Sequence, residues 1–168
     1  MSHAKNKIDW CLKKAIKESG EGGKHRGLVK IKEDKEKAGK HLVKAMHNLS
    51  AIEYFNAGGF SDWSMSAVFY CVYHCFLAIA SKFGYESQNQ ECTIALIKYL
   101  KEESKIELDD EFIKILEVDE KERHETSIIE KREFYTYGTT ISAKKEEIQK
   151  SIQLCKDCLD QTKAIVFR

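Results

Sequence analysis

The sequence predicts an all-α fold. Three observations carry this: apolar residues recur at helical spacing along most of the chain, no run alternates apolar and polar as a half-buried strand would, and there is no proline. At 168 residues, 42% hydrophobic and 33% charged, the chain is long enough for one buried core and lies far from disordered compositions.

The elements follow in order. Ile8 to Lys17 places apolar residues at 8, 11, 12, 15 and 16, one helix face. Ser19 to Gly27, with its glycines and basic residues, reads as a linker; it lacks the phosphate-loop spacing and no strand precedes it. Ala38 to Phe55 is a second helix, with Leu42, Ala45, Met46, Leu49 and Ile52 in register, stopped by Gly58-Gly59. A third helix, capped by Ser61 or Asp62, runs through Phe83 and ends at Gly84. Its apolar residues occupy every side, which marks it as the central helix, packed by neighbours on several faces. Ser87-Gln-Asn-Gln90 has the form of a capping box opening a fourth helix to about Lys101. A short helix is expected over Asp109–Val118, a charged turn or helix end over Asp119–Glu130, and a long last helix over Ile141–Phe167.

Charge and cysteine usage exclude some classes of function. Lys+Arg at 28 against Asp+Glu at 27 advertises no global basic surface for nucleic acid. Met1 to Trp10 has no apolar signal region and no uninterrupted apolar run spans a bilayer, so a cytoplasmic protein with no membrane association is expected. The six cysteines are then expected to be reduced. Cys71, His74 and Cys75 could supply metal ligands, and Cys155-Lys-Asp-Cys158 is a CxxC inside a helix. Small buried thiols explain all six better, and no metal or cofactor is expected.

Two polar groupings remain. On the central helix Tyr70 and His74 lie four apart on one face, either as a ligand-binding pair or as an internal hydrogen bond. Lys131-Arg-Glu-Phe-Tyr-Thr-Tyr-Gly138 joins Phe134, Tyr135 and Tyr137 to Arg132, one of only four arginines. It fits a loop anchored by aromatics with Arg132 paired to a glutamate. It equally fits an anion site in which guanidinium holds phosphate and rings stack on a base.

The order of these stretches resembles a HEPN domain. The match begins near Ala38 with AGKHLVKAMHNLSAIE and passes through the Gly-Phe-Ser-Asp-Trp entry, Phe69–Cys75 and Lys82–Tyr85. It continues through Ser87–Cys92 and Arg132–Gly138 to the last helix. Residues 1–35 then form an added helix and Gly-rich loop, and 36–168 the domain. The resemblance implies an up-and-down bundle of four or five helices that forms a homodimer and binds a nucleotide or RNA, in some relatives beside a nucleotidyltransferase partner in a toxin–antitoxin pair. RNase relatives carry Arg-x(4–6)-His near the start of the last helix. Here Arg132-x4 leads to Tyr137, and a phenol is a poor base at neutral pH. The resemblance thus implies binding, with Arg132 on phosphate, Tyr137 and Tyr135 stacking or hydrogen bonding, and His74 and Tyr70 on the inner wall. The alternatives are a metal-independent RNase toxin using Arg132 with His74 or Tyr137, and a non-catalytic assembly module.

Overall fold

The computed structural model describes residues 2–117 and 128–168. Helix α1 (His3–Gly20) is followed by a short strand β1 (Leu28–Lys30), α2 (Lys35–Ala57), a single 3-10 turn at Ser61–Trp63 and α3 (Ser64–Lys82). Then come β2 (Tyr85–Ser87), α4 (Gln90–Glu102), α5 (Asp110–Lys114), α6 (Ile128–Tyr137) and α7 (Lys145–Phe167). The all-α reading holds, and α3 is the centre: α2, α4, α6 and α7 all pack on it. Phe76, Met65, Val68 and Ile79 on α3 are fully buried, which is why that helix can be apolar all round. Ser61–Lys82 is long and apolar enough to cross a membrane (mean hydropathy 1.5), but most of its apolar stretch is buried against the rest of the fold.

Several sequence expectations need correction. Leu28–Lys30 pairs antiparallel with Tyr85–Ser87, Leu28 opposite Ser87, so a two-stranded ribbon exists where none was expected. Three-residue strands are too short to show alternation. The third helix begins at Ser64 with no side-chain cap, because Ser61 and Asp62 are used in the 3-10 turn. Asn89, not Ser87, caps α4: its Oδ1 accepts from the Cys92 N–H at 3.0 Å, while the Ser87 hydroxyl donates to the Asn89 carbonyl. The last helix starts at Lys145, leaving Ile141 exposed. The short helix stops at Lys114, and the expected charged turn falls largely on residues 118–127, outside the described residues. The Lys131–Gly138 stretch is helical rather than a loop, forming most of α6.

The cysteines divide. Cys71, Cys75, Cys155 and Cys158 are free and buried between α3 and α7. Cys11 and Cys92 are not reduced: they form a disulfide joining α1 to α4 across a separation of 81 residues. Spacing alone cannot reveal such a pairing, since it depends on how the two helices pack.

Candidate functional site

Arg132 sits on the half-buried side of α6, and its guanidinium carbon lies 4.5 Å over the ring centroid of Phe69 on α3. Phe69 in turn stacks on Tyr73 (5.7 Å, 16°) and meets Tyr70 edge-on (5.0 Å, 82°). The Tyr73 hydroxyl reaches Thr93 on α4 at 3.3 Å, which fixes the stack. A guanidinium over an aromatic face is held by the ring quadrupole without losing its five donors. Among the described residues Arg132 makes no ion pair with a carboxylate, so the expected Arg–Glu pairing is absent there.

Arg132 lines a cavity of about 800 Å³ whose other walls include His3 and Lys7 of α1, Asn89, Gln90 and Glu91 at the start of α4, and Lys98, Glu117 and Glu133. Lys7 is paired with Glu91 at 2.7 Å, which holds the Glu91 carboxyl below its usual range, and Lys98 is paired with Glu117. The lining carries three cations (Lys7, Lys98, Arg132) and three carboxylates (Glu91, Glu117, Glu133), so its formal charge balances, while Arg132 has no ion-pair partner among the described residues. The opening turn of α4 faces the same space, and a helix N-terminus favours negative charge.

The other expected residues are spread out. Tyr70 is 45% exposed beside Phe69, on the outer edge of the ring stack rather than an inner wall. His74 is turned toward α2, its Nδ1 3.1 Å from Nδ1 of His41. His41 borders a separate cavity of about 310 Å³ with Lys37, Tyr73, Tyr85 and Glu86. Burial, then the neighbouring His74 and Lys37, lowers the His41 pKa to about 4; burial also lowers that of His74. Tyr135 points to α7, donating to Glu147 at 3.0 Å, and the same carboxylate pairs with Lys131 at 2.7 Å. Burial and that hydrogen bond push the Tyr135 phenol up to about 12, so it stays protonated and braces α6 on α7. Tyr137 is 85% exposed. At 3.6 residues per turn, five positions carry the chain ~140° around the helix, away from Arg132. The structure therefore joins Arg132 and Tyr70 through one ring stack and does not bring His74, Tyr135 or Tyr137 into the Arg132 cavity.

Phe69, the ring beneath Arg132, escaped the sequence reading, although its spacing of four from Tyr73 was there to see. His41 escaped as well, since its partner is on another helix. Among the described residues no group of three or more His, Cys, Asp or Glu side chains is arranged to hold a metal ion. Burial first, then the neighbouring Cys75 thiol, pushes the Cys158 thiol up, so that thiol stays protonated.

The molecule is a helical bundle whose central helix carries an aromatic stack covered by the Arg132 guanidinium of α6, at the edge of a polar cavity. The family model described as HEPN domain matches residues 38–165, and the chain belongs to that family. Membership associates it with nucleotide- and RNA-related function. No curated protein matches the chain.

Proposed function

We propose that this HEPN-domain chain binds the phosphate of a nucleotide or of RNA in the Arg132 cavity and does not cut it efficiently. The observation that carries this reading is the half-buried guanidinium on Phe69, without a described carboxylate partner, on the wall of a cavity large enough for a nucleotide. Arg132 grips phosphate with its free donors, and Phe69 pre-orients the fork so that little freedom is lost on binding. Isothermal titration of ATP, AMP and a short RNA into wild type and Arg132→Ala tests it. A charge-assisted bidentate contact predicts a loss of about tenfold or more for at least one of these ligands. Unchanged binding of all three would remove Arg132 from the site.

One observation favours a second reading, a metal-independent RNase: His3 lines the same cavity as Arg132, so an imidazole is at hand for proton transfer. Cleavage of structured RNA in EDTA, lost in both His3→Ala and Arg132→Ala, would establish it; no cleavage by wild type leaves binding alone. Resting on the family alone, we also propose a homodimer in the cytoplasm that acts beside a nucleotidyltransferase partner. A monomer in sedimentation equilibrium at micromolar concentration would remove the dimer.

A further inference from the structure

The family match begins at residue 38, yet the Arg132 cavity is closed on one side by α1, which reaches it through His3 and Lys7. One turn beyond Lys7, Cys11 is bonded to Cys92. Cys92 follows directly on Asn89–Glu91, the turn of α4 that lines the same cavity. The cross-link thus joins two walls immediately behind their lining residues.

The rest of the α1 attachment is thin. Its buried seam is Ala4, Ile8, Cys11 and Ala15, while Trp10 and Ile16 are exposed. It packs chiefly on α4 and β1. Two alanines, one isoleucine and the half-buried Leu12 bury modest apolar surface for an 18-residue helix. The Lys7–Glu91 pair is partly solvated and adds little. A bond closing 81 residues, by contrast, strongly limits the freedom an unseated α1 would gain.

We propose that α1 is a thiol-conditional wall of the Arg132 cavity, seated while Cys11 and Cys92 are joined and released when they are reduced. Phosphate-ligand affinity then follows the thiol state; that affinity arm rests on the Arg132 reading above, whereas the seating of α1 is tested independently. The co-reactant is a small-molecule thiol–disulfide couple of the glutathione type. A small thiolate attacks one sulfur of the Cys11–Cys92 bond, giving a mixed disulfide and one free protein thiolate. A second small thiol displaces the mixed disulfide, leaving two protein thiols and one oxidised small molecule, with two electrons and two protons gained by the protein. Both sulfurs are fully buried, so exchange proceeds through openings of α1.

The test uses the full chain equilibrated with oxidised or reduced glutathione. Alkylation and mass spectrometry count free thiols, trypsin probes Lys13, Lys14 and Lys17 of α1, and titration with ATP reports the cavity. Reduction should free two further cysteines, speed cleavage within α1 by about tenfold or more, and weaken ATP binding. Cys11→Ser should behave as the reduced chain under both conditions. Gly27→Ala is the control that keeps both thiols. A Cβ at residue 27 would collide with the Cys11 carbonyl oxygen, so this variant should loosen α1 even when oxidised. Equal protection of α1 in the oxidised and reduced chains overturns the proposal. Released α1 with unchanged ATP affinity, while Arg132→Ala still weakens ATP binding, overturns the wall role alone. If no state of the chain binds ATP, AMP or RNA, the Arg132 reading and the affinity arm both fall, and the trypsin comparison by itself decides whether α1 is thiol-conditional.

Discussion

Acidifying the buffer should weaken the fold through the His41–His74 contact. Their Nδ1 atoms lie 3.1 Å apart, which requires one nitrogen to donate and the other to accept, so the pair works only while at least one ring is neutral. Folding lowers the His41 pKa from 6.5 to about 4, chiefly by burial, with His74 and Lys37 adding to the shift and Glu86 opposing it. His74 moves the same way, through burial and Lys44. A histidine whose pKa falls on folding binds its proton more weakly folded than unfolded. Its contribution is therefore present in full above about pH 6.5 and is lost as the pH falls toward 4. At about pH 5 the undiscounted cost for His41 is roughly 2 kcal/mol, and half-burial with solvent screening reduces it to about 1 kcal/mol. Urea unfolding of wild type and His41→Gln between about pH 7.5 and about pH 5 isolates it from other acid effects. Wild type should lose about 1 kcal/mol more than the variant, equivalent to about 2–4 °C in Tm for a chain of this size. Parallel pH profiles for the two proteins would refute the reasoning.

Two further outcomes follow from the packing. Phe76, fully buried at the centre of α3, should cost about 3–5 kcal/mol when cut to alanine, read as a lowered urea midpoint with unchanged slope. Phe69→Leu removes the ring under Arg132 while keeping an apolar side chain. It should weaken nucleotide binding by the worth of a cation–π contact, about 0.5–1 kcal/mol or roughly two- to fivefold, in the same titration that tests Arg132.

What could be read from the chain tracks the range over which each signal acts. The all-round apolar character of Ser64–Lys82 is a local pattern, and it correctly placed that helix at the centre. The helix caps are local too, yet Asp34, which caps α2 by accepting from the Lys37 N–H at 2.8 Å, went unread, and the α4 cap was placed on the wrong residue of its box, Asn89 being the one used. The Arg132 stretch misled because α6 buries only Ile128 and Ile129, at its start, and the aromatic run after Arg132 has no apolar stripe to announce a helix. Once helical, the stretch scatters side chains that a loop could have gathered. The Cys11–Cys92 bond and the His41–His74 contact join helices 81 and 33 residues apart, so only the packed bundle reveals them.

The geometry of α6 also bears on whether the missing histidine is the sole obstacle to cutting. Position 137 is exposed and turned ~140° from Arg132, so a histidine placed there would not enter the cavity of its own protomer. It could act only on a phosphate held by the Arg132 of a second copy, in the homodimer proposed above. Tyr137→His should then yield RNA cleavage in EDTA that rises with protein concentration through dimer formation and disappears in the Arg132→Ala double variant. Cleavage independent of concentration would mean that α6 delivers both groups within one protomer, against the helical geometry. A cleanly dimeric Tyr137→His chain that still binds RNA without cutting it would show that the phenol at 137 is not what keeps this protein from being a nuclease.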